Sequence, residues 1–145
     1  MRLITLVLFA TVAVAAWTPS FSQLPMYTLS SKAHGAPFDL VVTEIKREET
    51  NSQLSVSGFH NRTAPGSRWL MCVYTELAIM RGFKYWSVMY PAEGSETLIV
   101  GFSNSATTSP KDVIGPQYVK ERILGDPMSP VEAYVAFCGF RSIAR

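Results

Sequence analysis

Residues 53–59 (QLSVSGF) alternate strictly, with Leu54, Val56 and Gly58 on one side and Ser55 and Ser57 on the other. Period-two alternation of this kind predicts a strand with one wet face. Residues 38–47 (FDLVVTEIKR) are rich in β-branched side chains and then turn charged. The polar run 48–52 separates the two stretches, so together they read as an antiparallel hairpin. Residues 27–31 suit a short edge strand. Two further strands are expected at 84–90 (KYWSVMY) and 97–102 (TLIVGF), joined by Pro91-Ala92-Glu93-Gly94-Ser95, a longer hairpin loop. A last strand is expected at 131–140 (VEAYVAFCGF), with Val131, Ala133, Val135 and Phe137 on one face.

The period changes at residues 68–81. Leu70, Val73, Leu77 and Met80 recur at helical spacing, Ser67 can cap the start, and Gly82 can close the end. Trp69, Met71, Cys72, Tyr74, Ala78 and Ile79 make most of the remaining helix surface apolar. Such a helix must be covered on more than one face, by a sheet and by a loop or the amino-terminal segment. A second, short helix is expected at 116–124, with Pro116 in its first turn and Gly125-Asp126-Pro127 after it. The expected fold class is α+β: an antiparallel sheet of about five strands with one main apolar helix packed on it, in the order β-β-α-β-β-β.

The amino-terminal residues carry a different pattern. Arg2 precedes an apolar run at 3–17, too short for the ~20 residues that cross a bilayer as a helix. Pro19 ends it, and Ser20-Phe21-Ser22 places small residues where a signal peptidase reads them. Residues 1–22 therefore read as a signal peptide, with a mature domain at 23–145 beginning at Gln23. Cleavage after Ala13-Val14-Ala15 and retention as an uncleaved anchor are the alternatives. No cysteine lies near the end of the apolar run, so there is no lipobox. The expected location is the periplasm or the extracellular space, with no stable membrane span after cleavage.

Charge and composition narrow the function classes. The chain has 145 residues, 13 Lys+Arg against 11 Asp+Glu, and a net charge of +2. That balance selects neither nucleic acid nor an anionic membrane. Eight Phe, six Tyr and three Trp are ample for a core and exclude disorder.

The stretch at 67–90 (SRWLMCVYTELAIMRGFKYWSVMY) resembles the helix–strand core of a family of small bacterial envelope lipoproteins of unknown function. The likeness rests on Thr75-Glu76 within the apolar helix, Gly82-Phe83 at its end and Tyr85-Trp86 in the aromatic strand. SVSGFHN is similar to the family's preceding strand and AYVAFCG to its closing strand. Two features depart from the family: the lipobox Cys is absent, and Val73 stands where an Arg often precedes the acidic residue. The resemblance implies an envelope compartment and an α+β fold, and brings no reaction.

Candidate chemistry is sparse. Glu76 falls between Trp69 and Cys72 on the helical wheel, inside apolar surface. A carboxylate there needs a partner, and Arg62, Arg68 and Arg141 are the candidates for holding it as a structural acid. The other reading is an acid facing a cleft. Cys72 and Cys138 are the only cysteines and form a disulfide if their backbones approach; two buried thiols are the alternative. His34 and His60 are the only histidines and lack zinc-ligand spacing. No cofactor or metal site is expected. Gly101-Phe102-Ser103-Asn104-Ser105 lacks the second Gly of a nucleophile elbow and reads as polar loop. Tyr85, Trp86 and Tyr90 are mainly core candidates, with those on the outer sheet face available as a binding patch. The expected function is a non-catalytic envelope structural or interaction role, with an unknown envelope protein as partner. The alternatives are a carrier of a small apolar ligand between helix and sheet, and a small hydrolase using Glu76 with a His.

Overall fold

A computed structural model of the chain describes residues 25–119 and 128–139. The two amino-terminal alternations form β2 (Val41–Arg47) and β3 (Asn51–Ser57), and the edge strand is β1 (Thr28–Ser30). The helix α1 (Ala64–Met80) is followed by β4 (Tyr85–Met89) and β5 (Thr97–Ser103). A short helix α2 (Pro110–Ile114), a two-residue strand β6 (Ser129–Pro130) and a last helix α3 (Val131–Val135) complete the described chain. The strands form one antiparallel six-stranded sheet in the order β1-β2-β3-β5-β4-β6. The fold is α+β, as the alternation pattern implied, with a main helix packed on an antiparallel sheet.

One face of the sheet carries Val42, Leu54, Val56, Trp86, Val88, Leu98, Val100 and Phe102. Against it α1 lays Leu70, Val73, Tyr74, Leu77 and Ala78, and this is the principal core. Met80, the last residue of the expected stripe, is instead 45% exposed, because the helix ends there and turns away. The opposite face holds Met89 and Ile99 beneath Val113 and Ile114 of α2, joined by Met128. Gly101 explains how α2 comes so close: a Cβ there would stand 2.6 Å from Val113 Cγ2 and 2.9 Å from Ile114 Cγ1.

The helix begins four residues earlier than its apolar pattern suggests. Thr63 is the cap, its hydroxyl accepting from Gly66 N at 3.3 Å, and Pro65 sits in the first turn. A proline there loses no intrahelical bond, so Ala64-Pro65-Gly66 can form the first turn. The expected carboxyl-terminal stop holds: Gly82 has a φ of 78°, its N–H bonds Ile79 O, and Phe83 N bonds Ala78 O at 2.9 Å. That paired arrangement satisfies the last free carbonyls.

Two expectations fail in the carboxyl-terminal third. Residues 131–140 were expected as a strand, but Val131–Val135 is helical, and only Ser129–Pro130 pairs with Tyr85 and Trp86. Val131, Tyr134 and Cys138 also have helical spacing, and burying the first two against the main core outweighs the alternation. A helix was expected at 116–124; the described part, 116–119, is turn, and the helix lies upstream at Pro110–Ile114. Proline in the first turn is the signal in both places, and Gly115, with a φ of 97°, stops the first helix before the second can begin. The expected signal peptide, Arg141 and Gly125-Asp126-Pro127 lie outside the described residues.

Candidate binding cleft between helix and sheet

The amino-terminal half of α1 does not close fully onto β4. A cleft of about 170 Å³ remains between them. Leu70, Met71 and Tyr74 form its helix wall, Trp86 and Val88 its sheet wall, and Tyr134 of α3 one end. Phe59, Arg62 and Tyr90 stand at the other end. The walls are held by aromatic contacts: Trp86 lies 5.4 Å from Tyr74 and 5.3 Å from Tyr134 between ring centroids. Trp86 Nε1 donates to Thr75 Oγ1 at 3.0 Å, and Thr75 in turn donates to Met71 O at 2.8 Å. This chain of bonds fixes the indole ring in the sheet wall of the cleft.

Besides Arg62 and three tyrosines, Ser67, Ser87 and Ser129 line the cleft. Tyr74 is only 3% exposed, and its hydroxyl makes no hydrogen bond among the described residues. Burial pushes the Tyr74 phenol well above its ordinary range, and Tyr90 adds to the rise while Arg62 opposes it. The group is therefore a neutral donor at any physiological pH. Arg62 donates through Nη1 to Phe59 O at 2.7 Å and stacks 3.8 Å over the Phe59 ring. No carboxylate pairs with it among the described residues. Arg62 also lines a second, neighbouring hollow of about 250 Å³ with Asp39, Asn61 and Thr63.

Of the singled-out residues, Trp86 and Tyr90 line this cleft, and Glu76, His34, His60 and Tyr85 do not. Glu76 is half-buried on α1 and accepts a 2.6 Å hydrogen bond from the Tyr27 hydroxyl. Among the described residues its partner is therefore a tyrosine from the amino-terminal segment, while Arg62 is stacked on Phe59 and Arg141 lies outside the described residues. Burial, then the bond to Glu76 and its charge, push the Tyr27 phenol far up. His34 Nδ1 meets Ser30 O at 3.0 Å and His60 Nε2 meets Ser95 O at 2.6 Å, so each ring is tied to local backbone. Neither Glu76 nor either histidine lines the two hollows. Tyr85, Trp86 and Tyr90 do not form a common patch. Trp86 is 4% exposed beneath α1, Tyr85 packs on the opposite face with Met89, and Tyr90 lies at the rim of the cleft. Ser103, expected as loop, ends β5, and Ser105 stands in the polar loop after it: Ser103 Oγ bonds Thr108 Oγ1 at 2.7 Å and accepts from Ser105 N.

Cys72 and Cys138 are bridged, with their Cα atoms 5.5 Å apart. The bond pins α1 to the segment after α3 and keeps Tyr134 against Trp86 at the end of the cleft. A bridged pair suits an oxidising compartment and is compatible with an extracellular or periplasmic protein. No helix among the described residues is long and apolar enough to cross a membrane. No group of His, Cys, Asp and Glu among them could hold a metal ion.

The pattern reading missed a buried ionic network at the far end of α1. Glu44 is 2% exposed and accepts from Ser52 Oγ at 2.5 Å, Arg47 Nε at 2.8 Å and Tyr27 N at 3.1 Å. Arg47 Nη2 makes a further bond to it. Arg81, also 2% exposed, donates to Ser52 Oγ at 2.9 Å and to the Glu48 and Glu49 carbonyls. It stacks 4.7 Å over Phe102. Burial raises the Glu44 carboxyl, but the bonds from Arg47, Ser52 and Tyr27 outweigh it and hold the group below its ordinary range. Burial pushes the Arg81 guanidinium down to about 10, with the Glu44 charge opposing. A bulge in β2 makes the network: Glu44 opposes Leu54 and Arg47 opposes Ser52, so residues three apart share the helix-facing side. The available signal was Glu44 itself, a charge two residues after the inward-facing Val42.

No protein-family model, curated protein or solved structure matches the chain. The functional reading therefore rests on the cleft and the disulfide.

Proposed function

We propose that this chain is an exported, non-catalytic binding domain that holds a small, largely apolar ligand between α1 and β4. The observation that carries the reading is the aromatic cleft of about 170 Å³, into which a buried tyrosine presents an unbonded hydroxyl. A closed apolar cavity of ~150 Å³ accommodates a benzene-sized molecule, so the volume suits a single ring with a small substituent. Convergent polar groups on apolar walls are the usual form of a small-molecule site. The carrier reading gains over the hydrolase reading because Glu76, His34 and His60 do not converge on the cleft.

Export is supported by the disulfide and by the Arg2–Trp17 and Ser20-Phe21-Ser22 patterns. The likeness of the 67–90 stretch to small bacterial envelope proteins points the same way, to the periplasm or beyond. Mass spectrometry of the protein expressed in a Gram-negative host should find Gln23 at the amino terminus in the envelope or culture fraction. An intact Met1 on cytoplasmic protein would contradict export. Binding is tested by titrating the oxidised protein with benzyl alcohol while following tryptophan emission. Saturable quenching, lost on Trp86→Phe, is expected. A linear response matching that of free tryptophan would refute a site.

A further inference from the structure

The polar end of the cleft has a chemistry of its own, and the inference from it rests on the binding reading above. Arg62 is held in place from two sides, by the Phe59 carbonyl at 2.7 Å and by the Phe59 ring at 3.8 Å. Only Nη1 is used in that arrangement, so the rest of the guanidinium fork is left without an acceptor among the described residues. An arginine fixed in this way has lost much of its side-chain entropy before any ligand arrives. In the same cleft the Tyr74 hydroxyl makes no hydrogen bond among the described residues, and Tyr90 adds a second hydroxyl at the rim. A ligand oxygen placed at that hydroxyl would give it an acceptor. All these groups can donate, and no carboxylate lines the cleft. The rest of the lining is mixed: Leu70, Met71, Trp86 and Tyr134 offer hydrocarbon and ring faces, and Ser67, Ser87 and Ser129 are polar.

We infer that the ligand class is a small aromatic monoanion, an aryl carboxylate in its simplest form, with its ring against Trp86 and Tyr134 and its carboxylate on Arg62 and Tyr74. The guanidinium fork matches a carboxylate in geometry and charge. The aromatic walls select a planar ring over an aliphatic chain, since offset and edge contacts between rings add to simple burial. The volume limits the ligand to about one ring and its acid group.

The experiment compares benzoate, benzyl alcohol, cyclohexanecarboxylate and acetate as probes by isothermal titration of the full oxidised protein near pH 7. Benzoate should bind at least tenfold more tightly than benzyl alcohol and than acetate, with cyclohexanecarboxylate between. Arg62→Gln should abolish the preference for benzoate over benzyl alcohol. Tyr74→Phe should weaken benzoate severalfold while leaving the melting temperature unchanged or raised, because the hydroxyl it removes is unbonded in the free protein. That variant keeps the test valid if Arg62→Gln loosens the Phe59 turn. Equal affinity for benzoate and benzyl alcohol, insensitive to both substitutions, would overturn the anionic class and leave the cleft as an apolar site. No saturable binding of any ring-bearing probe to folded protein would overturn the cleft reading itself.

Discussion

Glu44→Gln is expected to be among the most damaging single-atom-scale changes in this protein. The side chain keeps its shape but loses its charge, and one of its two oxygens becomes an NH2 group. Both oxygens currently accept: Oε1 from Ser52 and Arg47, Oε2 from Tyr27 N and Arg47. An amide can serve only one side of that arrangement, so its donor faces other donors. Arg47, whose side chain is 8% exposed, and Arg81, at 2%, would then share a buried region with no anion. Breaking a buried pair by removing one partner costs about 3–5 kcal/mol, against a typical domain stability of ~5–15 kcal/mol. Urea unfolding at pH 7 under oxidising conditions, followed by tryptophan emission, should show this loss as a lower midpoint at unchanged slope. The pH dependence has a definite sign. The folded Glu44 carboxyl lies below its unfolded value of about 4.3, so its contribution is complete above that pH and fades as pH falls through the folded value. Glu44→Gln should flatten this acid limb. Glu48, half-buried and held low first by its bond to Lys46, leaves a residual slope in both proteins. A midpoint within ~1 kcal/mol of wild type, or an acid limb of unchanged steepness, would refute the account of this network.

Three further outcomes follow from the packing. Replacing both Cys72 and Cys138 by Ala should cost about 4 kcal/mol, from the chain-entropy estimate for a 66-residue separation, read as a shift in denaturant midpoint against the oxidised protein. Proteolysis of that variant should start near α3, which buries no residue completely. Gly101→Ala should cost about 1–3 kcal/mol by forcing α2 off the sheet, measured as a fall in melting temperature. Tyr27→Phe and Glu76→Gln should each cost about 1 kcal/mol, and the double variant should cost less than their sum, because both remove the same 2.6 Å bond.

The sheet and main helix could be read from the chain because their local signals agree with their final environment. Leu54 and Val56 alternate with serines and are buried; Leu70, Val73 and Leu77 recur at helical spacing and meet them. The carboxyl-terminal third could not be read in this way because two periods coexist there. Val131, Val135 and Phe137 satisfy alternation, while Val131, Tyr134 and Cys138 satisfy a helix, and the disulfide with Cys72 accompanies the second. Glu76 was recognised as needing a partner, and its partner among the described residues is a tyrosine 49 residues away, which no local pattern encodes. The cleft was less legible still. Arg62, Tyr74 and Tyr134 come from a turn and two helices, and each is unremarkable in its own neighbourhood. Only the gap left between α1 and β4 makes them one site.

The binding account is tested most directly by methyl resonances in protein labelled at methionine. Met71 lines the cleft, Met89 is fully buried on the opposite face of the sheet, and Met80 is exposed at the helix end. Titration with benzoate should shift the Met71 methyl saturably and leave Met89 and Met80 in place. A Met71 resonance that stays fixed up to the solubility limit, or that moves no more than Met80, would contradict the account.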